Sequence, residues 1–225
     1  MSRLSPDSSI HQVLSWIAAL IVANLIALAW SIPVVTSGIG LLVCAVVSMR
    51  LIRDESTALV PAMRQTMRGA VAAGVAGTAE LIVGALVVWE WVASQSLSSP
   101  FLILAVRSLL LFVAVMLGIV HVWLWPMMAY RLAYHGSLRV GDLVMLARSS
   151  LLVGVAKLGR TFGALIVSAA PLAVVTVSVE WAVRMGFWYL VFGIAFAMYV
   201  CVLAAHPVLA SAQSRDEADP SLSGE

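Results

Sequence analysis

VLSWIAALIVANLIALAWSIPVVTSGIGLLVCAVVSM, residues 13–49, runs without a single charged side chain, and its reading decides the fold. The hydrocarbon core of a bilayer is about 30 Å thick and takes about 20 helical residues to cross. Backbone groups inside it must be satisfied within the segment, so an apolar run of this kind is helical. The stretch holds enough residues for two such helices, and Pro33 supplies the break between them. Val13 to Ile32 is therefore the first predicted span and Val34 to Met49 the second. The second run is short and contains Gly38 and Gly40, which leaves a re-entrant or tilted segment as the alternative to a full crossing. A secretory signal is excluded because the run that follows Arg3 exceeds the roughly 7 to 15 residues of such a signal's apolar region.

Four more runs follow outward along the chain: Ala70 to Val92, Phe101 to Tyr130, Thr161 to Trp181 and Phe187 to His206. The fold class read from them is all-α, a polytopic transmembrane helix bundle of about six spans. Composition agrees, since 62% of the residues are hydrophobic and 11% charged, with a mean hydropathy of +1.04. Those values lie far from the soluble norm. Domain organisation is read as a cytoplasmic N-terminus over residues 1–12, a bundle over 13–206 and a disordered acidic cytoplasmic tail over 207–225.

Charge sets direction, because Lys and Arg are retained on the cytoplasmic side of short loops. One basic loop holds Arg50, Arg53, Arg64 and Arg68; the other holds Arg131, Arg139, Arg148, Lys157 and Arg160. With six crossings both loops and both termini fall on the cytoplasmic side, while Ser96 and Gly186 fall outside. Trp89, Trp91, Trp181 and Trp188 are then expected at the outer headgroup level, and Trp123 and Trp125 near the inner one. No basic face suited to nucleic acid remains, so the expected partner is the lipid bilayer.

Both basic segments carry helical spacing. In 56–68 Leu59, Val60, Met63 and Met67 alternate with Arg64 and Arg68, with Asp54 or Ser56 as the predicted N-cap. In 140–156 Leu143, Val144, Leu146, Ala147 and Leu151 oppose Arg139, Asp142 and Arg148. Each is expected to be a cytoplasmic amphipathic helix, lying on the membrane or docked under the bundle. Arg50-Leu51 and Arg131-Leu132 end a span in each half, and each is followed by a Ser, Ser56 or Ser137, which echoes the internal repeats of transporters.

The intramembrane charges are the candidate sites, since an ionisable group in hydrocarbon costs several kcal/mol unless paired or hydrated. Glu80, midway along the third span, is the deepest, with His121 and Asn24 as candidate polar partners. Glu90 and Arg107 are expected to form an ion pair clipping the third span to the fourth. Cys44 and Cys201 lack metal or disulfide spacing and are expected to be buried thiols. The small-residue spacing at Ala73, Gly74 and Gly77, and the pair Gly159 and Gly163, predict close helix packing, while Pro126 and Pro171 predict kinks. No nucleophile, metal or phosphate-loop motif stands in the chain, so no catalytic residue, metal or cofactor is assigned and an enzyme is not expected.

The run Asn24-Leu25, then Ser31-Ile32-Pro33-Val34-Val35-Thr36, then an apolar helix ending at Arg50 with Arg53-Asp54-Glu55, resembles the YesL-like family of bacterial membrane proteins. Trp125-Pro126, Arg131, Ser137-Leu138 and the stretch to Arg160-Thr161 resemble that family's second cytoplasmic segment. The chain departs from the family pattern at Ser37-Gly38-Ile39 and at Met63 and Met67. The family's members accompany carbohydrate ABC-transport systems, so the resemblance implies an accessory or regulatory role in sugar uptake, with ABC transporter components as partners. A permease-like conducting subunit is the alternative. Lack of an acidic coupling motif before Thr161 speaks against it.

Overall fold

The computed structural model describes residues 9–55 and 58–218. Among these the chain is all helix, and six helical segments are long and apolar enough to cross a membrane. The first, α1, is Ser9–Ser31. A 3-10 turn at Val34–Thr36 leads into α2, Ser37–Ile52. The turn satisfies itself: Thr36 Oγ1 donates to the Pro33 carbonyl at 2.8 Å and Ser37 Oγ to the Val34 carbonyl at 2.7 Å.

The shortest apolar run turns out to be the centre of the bundle. Helix α2 is continuous, does not turn back, and is buried from Gly38 to Met49 except for the half-buried Leu41. Its neighbours are α1, α4 (Ala70–Ala93), α5 (Pro100–His135) and α9 (Ile194–Ala218). Two glycines permit this. A Cβ on Gly38 would stand 1.9 Å from the Ala73 carbonyl oxygen, and one on Gly40 2.8 Å from the Ala27 Cα, so neither helix pair could approach as it does with a larger residue. Asp54 ends α2 rather than capping the next helix. Its φ of 52° is the left-handed conformation common just past a helix C-terminus, and Glu55 N donates back to the Arg50 carbonyl at 2.9 Å. Ala58 stands at the start of α3 (Leu59–Met67) without a side-chain cap, and Ser56 lies outside the described residues.

Helices α4 and α5 are antiparallel neighbours in one constant register. Gly69 lies against Leu132, Gly84 against Leu117 and Ser94 against Arg107, so each step along α4 is matched by one back along α5. Helix α6, Asp142–Ala156, runs back along the last third of α5. Asp142 meets Arg131, Ser150 Oγ donates to Met127 Sδ at 3.4 Å, and Gly154 lies against Ile119 and Trp123. Its packed stripe is Leu146, Ser150 and Gly154, whereas Val144, expected on the apolar side, is exposed. The small residues carry the contact because α5 presents the bulky Trp123 there. The same device recurs in α3, where Ala62 and Thr66 form the buried stripe.

The chain bends at Lys157, between α6 and α7 (Leu158–Val175). Thr161 fastens the bend, donating to the Gly154 carbonyl at 2.9 Å and accepting from Trp123 Nε1 at 2.8 Å. Gly159 and Gly163 meet nothing within 4 Å of an added Cβ, so this pair does not serve packing within the chain. Pro126 and Pro171 lie inside the uninterrupted helices α5 and α7.

Two expected boundaries move. The turn between the last spans is at Thr176–Ser178, where Ser178 Oγ accepts from Trp181 N at 3.3 Å and caps α8, Val179–Trp188. Gly186 is therefore inside a helix and not in a loop; no charge or proline marks the true turn, which is why hydropathy places it late. At the other end α9 continues past Pro207 to Ala218, and the rest of the expected tail, Ser221 included, lies outside the described residues. Cys44 and Cys201 are both buried, as expected.

Candidate functional site

Glu80 lies ten residues into α4, about 15 Å from its start and about 20 Å from its end at 1.5 Å per residue. The α4–α5 register brings it to His121. Glu80 Oε2 is 2.8 Å from His121 Nδ1, and Trp125 Nε1, one turn further along α5, donates to the same oxygen at 3.2 Å. One proton between Oε2 and Nδ1 serves either arrangement, carboxylate facing an N–H or carboxyl donating to a bare ring nitrogen. Glu80 Oε1 is buried and meets no partner.

Glu80 and His121 border a hollow of about 430 Å³ whose walls include Ser31, Ser37, Leu41 and Leu117, while Trp125 is buried behind them. A second, apolar groove of about 540 Å³ runs from Glu80 along α4 to Val92. Glu80 is largely buried and His121 partly open, so the pair sits at a boundary between packed protein and an open space. Chemically, such a pair can take up or release a proton, or hydrogen-bond a polar group that enters the hollow.

Asn24 does not join this site. Its Nδ2 donates to the carbonyls of Tyr189 and Leu190 at 3.0 and 2.9 Å, and its Oδ1 accepts from Ile194 N and Ala195 N at 2.9 and 3.1 Å. Those four groups flank a π-helical turn, Tyr189–Gly193, between α8 and α9. A π turn breaks the i to i−4 pattern, and the wholly buried amide of Asn24 supplies both the donors and the acceptor that the turn needs.

The expected ion pair of Glu90 and Arg107 is not formed. In the α4–α5 register Arg107 stands opposite Ser94, one turn beyond Glu90. Its Nε donates to Ser94 Oγ at 3.2 Å, and its guanidinium lies 5.1 Å from the centroid of the Trp91 ring. Glu90 is exposed. Matching depths on adjacent helices are thus insufficient; the register decides.

Trp123 and Trp125 are wholly buried within the protein. Each spends its N–H inside the protein, on Thr161 and on Glu80, whereas Trp89, Trp91 and Trp181 are exposed. Trp188 is half-buried and packs edge-on against Tyr189, Phe192 and Phe196. Trp125 is the member of the site that sequence reasoning missed. Its spacing of four from His121 was the available signal.

The basic residues divide. Arg50, Arg53, Arg64 and Arg68 share the wall of one hollow of about 450 Å³. Arg131 pairs with Asp142 at 2.9 Å, and Asp142 also accepts from Arg139 N at 2.9 Å. Arg148, Lys157 and Arg160 are exposed on α6 and at the start of α7. The echo between the halves has a structural counterpart: Arg50 Nη2 donates to Gln65 on α3 at 3.2 Å, as Arg131 does to Asp142 on α6. Among the described residues no three His, Cys, Asp or Glu side chains stand together as a metal-binding group would.

Comparison with protein families, with curated proteins and with solved structures finds no match for this chain.

Proposed function

We propose that this chain is a non-catalytic multi-pass protein of the bacterial plasma membrane that acts as an accessory or regulatory partner of a carbohydrate ABC-type uptake system. The observation that carries the reading is the core around α2. From Leu42 to Met49 every residue is buried, and the only polar ones are Ser48 and the Cys44 thiol, so the centre of the bundle is closed and apolar. A solute-conducting subunit needs a wet path there. The resemblance of 13–178 to the YesL-like family supports the link to carbohydrate uptake.

Both termini are assigned to the cytoplasm. Support comes from the four arginines gathered at one hollow at the ends of α2 and α3, against the uncharged Ser94–Ser96 turn between α4 and α5.

A conducting subunit is the second reading, favoured by the hollow beside Glu80 and His121. One experiment separates them. Purified protein alone in proteoliposomes should carry no labelled sugar, while deleting the protein from cells should change sugar uptake through an ABC system of the same cell. Flux through the purified protein that Glu80→Gln abolishes would establish the conducting reading. Unchanged uptake in the deletion strain would remove the accessory one.

A further inference from the structure

We propose that the hollow bordered by Arg50, Arg53, Arg64 and Arg68 is a binding site for a phosphate-bearing anion. Three elements converge there: the end of α2 brings Arg50 and Arg53, α3 brings Arg64, and the α3–α4 junction brings Arg68. The floor is formed by Met49 and Leu132, and Glu55 is the only carboxylate in the wall among the described residues.

Two of the guanidinium groups are held in place. Arg53 lies 4.7 Å from the centroid of the Tyr130 ring and 4.8 Å from that of Tyr134, donates to the Tyr134 hydroxyl, and stands 3.7 Å from Glu55. Arg50 is held by Gln65. Arg64 and Arg68 are exposed and have no carboxylate within ion-pair distance among the described residues. Arg68 reaches past Gly136, whose φ of 70° ends α5 and whose missing side chain leaves the wall open.

The charge around the hollow is unbalanced. Four positive groups face one carboxylate and the C-terminal ends of α2 and α5, each worth about half a negative charge. Roughly two positive charges remain, which matches a phosphate monoester at about −1.5 to −2 and exceeds a single diester. Guanidinium groups are planar forks suited to bidentate contact with phosphate oxygens, and this site holds four of them and no lysine. A lipid headgroup and a soluble phosphate ester share this chemistry.

The test uses the full chain in nanodiscs. Two probes are compared: phosphatidic acid, a phosphomonoester lipid, mixed into phosphatidylcholine discs, and inorganic phosphate added to pure phosphatidylcholine discs, with Trp fluorescence and thermal midpoint as readouts. A saturable response to at least one probe is expected, and Arg64→Gln with Arg68→Gln should weaken it about tenfold, the loss of one to two charge-assisted contacts. Both residues are exposed, so the variant keeps its fold, which the unchanged midpoint without probe will verify. Arg139→Gln with Arg148→Gln removes the same charge elsewhere and should leave the affinity unchanged. A response to phosphatidic acid alone identifies a lipid headgroup, and a response to phosphate alone a soluble ester. No saturable response to either, or equal loss in the two double variants, overturns the site.

Discussion

Asn24 shows how one side chain in a membrane bundle can be fully committed to structure. It hydrogen-bonds four backbone groups at the π turn, and no other residue type offers two donors and a two-fold acceptor in that shape. Asn24→Leu should therefore destabilise the bundle by about 3 kcal/mol, since a buried unpaired group costs about 1 to 3. Asn24→Asp, which keeps the acceptors and loses the donors, should fall between; thermal unfolding in detergent would measure both. Glu80 behaves differently. Glu80→Gln retains an oxygen for Trp125 and should be tolerated in stability, whereas Glu80→Leu removes the oxygen that Trp125 and His121 share, leaves the Trp125 N–H only the His121 ring nitrogen at 3.2 Å, and should cost about 1 to 2 kcal/mol. Equal losses for Gln and Leu would show that the charge of Glu80, and not its hydrogen bonds, holds α4 to α5.

Helices differ in what the sequence shows of them. The spans are legible because apolar length is a property of composition, and that signal located all six. Register is not, because it depends on which small residues let two backbones approach. The hidden contacts are the Gly38 contact with Ala73 and Gly77 and the Gly154 contact with Trp123. The same blindness produced the pairing of Glu90 with Arg107, which the register displaces by one turn. Arg107→Leu and Glu90→Leu should accordingly be additive in a double-mutant cycle, with the larger single effect at Arg107, which loses Ser94 and Trp91. Coupling between them above about 0.5 kcal/mol would contradict the register. Gly38→Val should prevent assembly of α2 on α4, because the Ala73 carbonyl occupies the space, whereas Gly159→Ala, with nothing within 4 Å, should leave the thermal midpoint unchanged. The site was half legible: Glu80 and His121 stand out as polar groups in apolar runs, while Trp125 reads as one more aromatic until its N–H is seen to point at the acid.

At the scale of the whole molecule, a buried helix is surrounded by four of the other five apolar segments, with the arginine hollow at the end of α2 and α3 and the acid–histidine pair on the flank of α4 and α5. This arrangement assigns separate places to packing, to a polar site within the helices and to anion contact. It also makes orientation the claim on which the rest depends, since the proposed partner contacts and the phosphate site both require the arginine end to face the cytoplasm. Cysteine labelling in intact cells tests it most directly, because Cys44 and Cys201 are buried and leave a quiet background. Val35→Cys, Ser96→Cys and Val177→Cys should each react with a membrane-impermeant maleimide from outside, and Arg64→Cys should react only after permeabilisation. Labelling of Arg64→Cys in intact cells, or protection of Val35→Cys while Ser96→Cys reacts, would contradict the orientation in the first case and the crossing of α2 in the second.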